Sequence, residues 1–404
     1  MNDTNHKGVL TGVRVLDLTD VVAGPVSTLY LAMLGAEVIK LENPQRGGDI
    51  NRSAAPGKNH CSMRFCTLNH NKKSIGVDLS TEQGKDLFFK LVSCSDIVIE
   101  NFRNGVMERL GLGFEEMKKV NPKIVYGNIS GFGAEGPYKD RPAYDVIAQA
   151  LSGIAMMNGE EGGPPVKVGT SIGDMIAGLN LAVGVLAALR EAERTGQAQH
   201  VEVSLVDALI SSLMMDHVKY LYDGTMPHRV GNRYREWSPY GIYPAKDGYY
   251  ALGVGTEKFY TVLARDVLRH PELLEDERCS SHNRRIQNRD VTEDLLNEWG
   301  RSHTVKEVCA ALDAAGIPNA PVNSIREVAE DPHFVEYRNM FPRYMQPELG
   351  EVRVTNLPLR FPEENEPEIE PAPSFGQQTE EVLKELLHME EGQIREWKDK
   401  GVLF

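Results

Sequence analysis

The stretch Val13-Arg14-Val15-Leu16-Asp17-Leu18, continued by Val26 to Leu34, Gly35 and Glu37-Val38-Ile39-Lys40-Leu41, decides the fold of this chain. The opening run predicts a strand, the run from Val26 a helix that Gly35 stops, and the closing run a second strand, with short connections throughout. The same alternation continues through Ser74–Asp78, a helix opened by the capping box Ser80-Thr81-Glu82-Gln83, and the strands Asp96–Glu100, Lys123–Ile129 and Gln199–Ser204. Strands alternating with helices imply a parallel sheet covered on both faces, so the fold class read here is a doubly wound α/β domain.

The pattern changes near Asp223, where the chain becomes aromatic and rich in turns. Tyr240 to Gly253 reads as a hairpin around Asp247-Gly248, and helical segments follow at about Glu257–Leu268 and Val305–Ala315. The expected organisation is a large Rossmann-like domain over residues 1–222, a smaller α+β domain over 223–330, and a return segment with two C-terminal helices over 331–404 that completes the large domain. Within the return segment, Pro362 to Pro373 is acidic and proline-rich and has no core of its own.

At 404 residues, 41% hydrophobic and 25% charged, the chain is long enough for two cores without staples. A net charge of -14 argues against a general nucleic-acid binder, so no nucleic-acid partner is expected and an anionic ligand would need a local basic pocket. Cys61, Cys66, Cys94, Cys279 and Cys309 form no metal-ligand spacing and no paired framework, and they read as reduced thiols of a cytoplasmic protein that needs no metal. The polar start Met1–Lys7 and the lack of an evident apolar run of roughly 20 residues predict neither secretion nor a membrane.

Against this background Asp174, in Gly169-Thr170-Ser171-Ile172-Gly173-Asp174-Met175, is the candidate nucleophile. A glycine-bearing segment delivers it to the start of a long helix running to Thr195, where backbone N–H groups and the helix dipole favour an ionised carboxylate. The same position suits a plain N-cap, and only the rest of the chain separates the two roles.

Basic and amide side chains gather at predicted strand ends: Lys40, Asn69, Asn71, Lys72 and Lys73, then Asn101, Phe102, Arg103 and Arg109. In a doubly wound sheet such ends converge and form a cationic rim able to hold phosphates. Val21, Val22 and Ala23, after the first strand, are set to meet a ligand through their backbone, although Gly24-Pro25 serves equally as a turn followed by a helix-starting proline. Neither a G-x-G-x-x-G fingerprint nor a P-loop is present, so no nicotinamide or flavin cofactor is expected. Ser130-Gly131-Phe132-Gly133, after another strand, allows close backbone approach, and Tyr144 to Gln149 follows on a helix.

Taken in order, Leu16-Asp17-Leu18-Thr19, Ala23-Gly24-Pro25, Leu34 to Glu42, Leu68-Asn69, Asn71-Lys72, Glu100-Asn101-Phe102, Ser130 to Gly133, Ala143 to Gln149 and Gly173-Asp174 resemble the class III, formyl-CoA transferase-like CoA-transferases over nearly the whole chain. The resemblance implies transfer of coenzyme A from an acyl-CoA to a carboxylic acid, with Asp174 as the catalytic aspartate carrying a covalent aspartyl-CoA thioester. It also implies CoA contacts at Val21, Ala23, Asn71, Lys72, Asn101, Phe102 and Arg109, with Lys40 in the same rim, and an interlocked homodimer. Gly173, Gly131 and Gly133 are candidates for oxyanion stabilisation, and Tyr144 and Val22 for the acid pocket.

The chain departs from the oxalate-using members in two places. Val22 replaces their glutamine, and Gly231-Asn232-Arg233-Tyr234-Arg235-Glu236-Trp237 stands where they carry a glycine-rich lid. Arg233, Arg235 and Trp237 are therefore lid candidates that either pair with a second carboxylate of a larger acid or form a solvated loop. Two alternatives share these residues: an acyl-CoA racemase or epimerase, whose histidine position here holds Tyr144, and a CoA-binding protein without turnover.

Overall fold

The computed structural model describes residues 8–58, 61–363 and 368–404; the polar start Met1–Lys7 and the centre of the proline-rich segment, 364–367, lie outside them. The strands β1 (Arg14–Asp17), β2 (Glu37–Glu42), β3 (Lys73–Gly76), β4 (Ile97–Glu100), β5 (Val125–Ser130) and β6 (Gln199–Ser204) form one sheet in the order β3-β2-β1-β4-β5-β6. Every pairing is parallel, with Leu16 opposite Ile39 on one side and Val98 on the other. The winding reverses between β1 and β4, so a crevice opens beyond the carboxyl ends of these two strands.

Successive strand residues feed two cores, as the period of a strand requires. Val15, Val38, Ile97, Ile99 and Val125 face one side, with Leu31, Ala177, Leu181 and Val185. Leu16, Ile39, Val98 and Tyr126 face the other, with Phe88, Leu91, Leu383 and Trp397. The covering helices are α1 (Ala23–Met33), α2 (Met63–Asn69), α3 (Glu82–Ser93), α4 (Asp145–Leu151), α5 (Ile172–Thr195), α6 (Leu205–Ser212), α7 (Thr379–Leu387) and α8 (Glu391–Asp399). The cap of α3 is Thr81, which accepts from the Gly84 N–H at 3.0 Å, one residue beyond the Ser80 expected from the sequence.

Helix α5 has 24 residues and is long and apolar enough to cross a membrane, contrary to the sequence expectation that no such run exists. Its buried stripe Ala177, Leu181, Val185 and Leu189 explains the composition, because it packs on α1 and the sheet. Gly178 permits the approach to α1: a Cβ there would stand 2.6 Å from the Ala23 carbonyl oxygen.

The chain divides into two compact units. The first runs to Ile154 and adds Lys167–Val218 and Pro332–Phe404; the second comprises Ala155–Val166 and Lys219–Asp331. The segment Ala155–Val166 thus belongs with the smaller unit rather than with the large domain to which the sequence reading gave it. One tie that holds it is the hydrogen bond from the Gly231 N–H to the Gly159 carbonyl, 3.1 Å. Within the second unit, β7 (Tyr240–Pro244) and β8 (Tyr249–Gly253) make the expected hairpin, and β9 (Asn319–Pro321) pairs antiparallel with β8. Tyr243, Tyr250, Tyr260, Leu263 and Leu296 fill its core.

Candidate active site

Asp174 is the third residue of α5, because the helix begins at Ile172 with Ser171 as its N-cap. The Ser171 side chain makes no capping bond. A side chain from elsewhere takes that role: Asp145 Oδ1 accepts the Gly173 N–H at 2.7 Å. Gln149 locks the arrangement, donating to Asp145 Oδ2 at 2.7 Å and accepting from the Val168 N–H at 2.8 Å. Asp174 therefore does not cap its helix, and its carboxylate makes no hydrogen bond among the described residues.

The electrostatic expectation is also corrected. Burial raises the Asp174 pKa, the Asp145 carboxylate raises it further, and Arg64 opposes both, leaving it at about 6. The group is ionised at neutral pH yet more basic than an ordinary carboxylate, which favours nucleophilic attack.

A cleft of about 420 Å³ in the first unit contains Asp174 together with Val21, Val22, Ala23, Asn101, Phe102, Arg109, Gly131 and Tyr144. Val21 to Ala23, Asn101 with Phe102, and Gly131 follow the carboxyl ends of β1, β4 and β5, beside the reversal of winding, and Asp174 joins them from the first turn of α5. Val21 has φ +70°, a left-handed conformation that is costly for a β-branched residue. The Asn51 side-chain amide holds the Val21 carbonyl, and Asn101 clasps the Asp20 backbone through both N–H and C=O, at 2.8 and 2.7 Å. Asn101 thus shapes the turn. Asn104 ties the neighbouring loop, donating to the carbonyls of Gly133 and Lys139 at 2.7 Å each.

Three exposed cations in the cleft, Arg103, Arg109 and Lys139, form no ion pair among the described residues, and Arg141 stacks on Tyr138 with its guanidinium 4.7 Å from the ring centre. The rim is real, but its membership differs from expectation. Lys72 is buried, its Nζ surrounded by Asp17 at 3.0 Å, Thr28 at 2.7 Å, Asn69 at 2.9 Å and the Pro25 carbonyl at 3.2 Å. Lys40 is likewise buried, on the Thr19 carbonyl at 2.5 Å and Asp49 at 3.2 Å. Asn71 binds the return segment, donating to the Glu368 carbonyl at 2.7 Å and accepting from the Glu370 N–H at 3.2 Å. None of the three lines the cleft.

Other candidates separate in the same way. The Gly173 N–H is taken by Asp145 and the Gly133 N–H by Ser130 Oγ at 2.8 Å, so neither is free to stabilise an oxyanion, whereas Gly131 lines the cleft. Tyr144 is 73% exposed there. In the second unit Arg233 is held by Asp290 at 3.0 Å and buried Glu293 at 2.8 Å, Arg235 donates to the His228 carbonyl at 2.9 Å, and Trp237 packs on His282. Of the two readings of Arg233, a partner for a ligand carboxylate or part of a solvated loop, the first meets protein carboxylates that already occupy the side chain. Asp145, Gln149 and Lys139 were missed; Asp145 and Gln149 sit in the stretch Tyr144–Gln149, whose spacing of one helical turn was the available signal.

A second cleft, of about 610 Å³, shares Phe102 and Arg103 with the first. Leu41, Val77, Leu79, Val106 and Leu110 give it apolar walls. Burial raises the Asp20 carboxyl on its floor to about 7, with Lys40 opposing and Asp49 and Glu42 reinforcing the rise.

The chain matches the family model described as CoA-transferase family III over residues 10–379. It belongs to that family. Among its relatives, succinyl-CoA:glutarate CoA-transferase of Mus musculus is 33% identical over 403 residues, covering 100% of this chain and 92% of the relative. Acetyl-CoA:oxalate CoA-transferase of Acetobacter aceti is 34% identical over 381 residues, covering 94% and 96%. A crystal structure of a CAIB/BAIF family protein from Brucella suis superimposes with a TM-score of 0.83 at 32% identity, over 94% of this chain and 100% of that one. The class III CoA-transferase is therefore an enzyme built on a parallel α/β sheet, and CoA is its substrate carrier.

Proposed function

We propose that this transferase moves CoA from a donor acyl-CoA to an acceptor carboxylic acid through an aspartyl-CoA thioester on Asp174. The observation that carries the reading is the Asp174 carboxylate, free of protein hydrogen bonds, in a cleft that also holds the unpaired cations Arg103, Arg109 and Lys139. The second cleft extends this surface past Phe102 and Arg103, which suits a long ligand with an aromatic end on the apolar walls, phosphates at the arginines and a thioester at Asp174.

In this scheme Asp174 attacks the donor thioester carbonyl, the C–S bond breaks, and a mixed anhydride and CoA thiolate result. The thiolate then attacks the aspartyl carbonyl, releasing the donor acid as its carboxylate and leaving aspartyl-CoA. The acceptor carboxylate repeats both steps in reverse, so the Asp174 carboxylate is regenerated and no proton is consumed. Racemisation gains no support, because no histidine is among the described residues lining the cleft, and Tyr144 occupies the position where the racemase branch has one.

The test is to incubate the protein with a panel of acyl-CoAs, quench with hydroxylamine and map the modified peptide by mass spectrometry, with Asp174→Asn as control. Hydroxamate at Asp174 that depends on the donor is expected. An unmodified Asp174 with every donor, in protein that binds CoA, would overturn the reading.

A further inference from the structure

We infer that Cys61 and Cys66 are a redox pair: hydrogen peroxide closes them into a reversible disulfide, and closure loosens the wall of the Asp174 cleft at Val21. Formation of the bond is independent of the transferase reading.

The two cysteines bracket the start of α2. Ser62 is its N-cap, with Oγ accepting from the Phe65 N–H at 3.0 Å, so Cys61 precedes the cap and Cys66 is the fourth residue of the helix. In a capped helix these two positions meet across the first turn, where apolar side chains commonly staple the entering chain. Here the staple is made of two free thiols, whose Sγ atoms lie 3.6 Å apart. A disulfide needs them at about 2.05 Å, so closure asks for a movement of about 1.5 Å. Cys66 is the fixed member, fully buried with Phe65 and Ala372, and Phe65 in turn lies under the Arg52 guanidinium, 3.8 Å from the ring centre. Cys61 is the member free to move, because it is half-buried and stands on the two-residue strand Cys61–Ser62 of a ribbon completed by Gly57–Lys58.

What moves Cys61 moves its neighbour Ser62. Ser62 Oγ donates to the Asn51 carbonyl at 2.5 Å, and the Asn51 side-chain amide holds the Val21 carbonyl. Val21 lines the Asp174 cleft with φ +70°, a conformation that a β-branched residue keeps only while its surroundings impose it. A shift of the cap therefore reaches the cleft through two hydrogen bonds.

Burial and the neighbouring Cys61 push the Cys66 thiol up to about 12, so oxidation starts at Cys61, the member that reaches solvent. The Cys61 thiolate attacks one peroxide oxygen, the O–O bond breaks, and the leaving hydroxide takes up the proton that the thiol released, giving a sulfenic acid and water. The Cys66 sulfur then attacks the sulfenyl sulfur, the S–O bond breaks, and hydroxide leaves with the Cys66 proton as a second water. Two thiols are oxidised to one disulfide and one peroxide is reduced.

The experiment treats wild type, Cys61→Ser and Cys66→Ala with hydrogen peroxide and digests them with trypsin without reduction. Trypsin cuts after Arg64, between the cysteines, so the disulfide appears as a cross-linked pair of peptides. Affinity for a CoA analogue lacking the thiol, which cannot reduce the bond, is measured before oxidation, after it, and after dithiothreitol. Wild type should show the cross-link and an affinity about tenfold lower, the worth of one lost hydrogen bond, and should recover on reduction. Methionine sulfoxide does not revert with dithiothreitol, so the recovered part reports thiols. Neither variant should form the link or lose affinity, and Cys61→Ser, at the half-buried position, carries the comparison where Cys66→Ala does not fold. Unlinked peptides with Cys61 as its sulfinic acid would show the pair to be an apolar staple only, and a complete link with unchanged affinity would overturn the coupling to Val21. Failure of wild type to transfer CoA to any acid would overturn the transferase reading and leave the cross-link measurement standing.

Discussion

The carboxylate of Asp145 holds the N–H of Gly173 at 2.7 Å and thereby caps, from another helix, the turn that carries Asp174. The contact does two separable things: its hydrogen bond fixes the turn, and its charge, after burial, raises the Asp174 pKa to about 6 against the opposing Arg64. Asp145→Asn can accept the same N–H but carries no charge, so the acidic limb of the pH–kcat/KM profile should move to lower pH with little loss at pH 8. Asp145→Ala should lose activity at every pH. A pH profile of Asp145→Asn that superimposes on wild type would show that Asp145 acts through geometry alone.

A carboxylate whose pKa is raised in the folded state, as that of Asp174 is, costs stability once ionised. The contribution of this group to wild-type stability is complete below the ordinary value of 3.8 and is lost as pH rises through about 6. Asp174→Asn has no proton to lose there. It should therefore match wild type near pH 4 and exceed it above pH 7 by on the order of 1–2 kcal/mol, allowing for solvent screening of a partly exposed group. Denaturant titrations at the two pH values measure the gap, and an equal gap at both would exclude ionisation as its cause.

Arg103 and Arg109 are exposed, unpaired and one helical turn or more apart on the segment after β4. If they meet the phosphates of CoA, Arg109→Ala should weaken CoA binding about tenfold at low salt, and the difference should shrink as salt is raised. Binding of a pantetheine thioester, which lacks the phosphates, should be unaffected. Isothermal titration with the two ligands makes the comparison; equal weakening of both would place Arg109 elsewhere.

The β-α-β alternation was legible because each strand alternates between two cores, as Val15 and Leu16 or Val98 and Ile99 do, and because glycines such as Gly35 mark the helix ends. Asp174 was legible as a residue at the start of a helix. Its environment was not, since the cap that sets it comes from Asp145, 28 residues before Gly173, and local rules see only neighbours. Lys40 and Lys72 misled for a related reason. A lysine at a strand end reads as a rim cation, and only the fold reveals that Asp17 and Asp49 have drawn these two inside.

That burial gives Lys72 a structural role with a distinctive signature. Lys72 Nζ and Asp17 Oδ2 are 3.0 Å apart with both side chains fully buried. Burial lowers the lysine to about 8 and works against the aspartate charge too, but Lys40 and Lys72 outweigh it and hold Asp17 well below the usual carboxylate range. Lys72→Met strands Asp17 with Lys40 as its remaining cation and should cost about 3 kcal/mol, the loss expected when one partner of a buried pair is removed. Adding Asp17→Asn removes the stranded charge, so the double variant should recover part of that loss rather than sum two losses. Because Lys72 does not line the cleft, CoA affinity of the folded double variant should equal that of wild type. Thermal unfolding and titration on the same samples decide it. Normal stability of Lys72→Met with weakened CoA binding would mean that Lys72 leaves its buried site to meet the ligand.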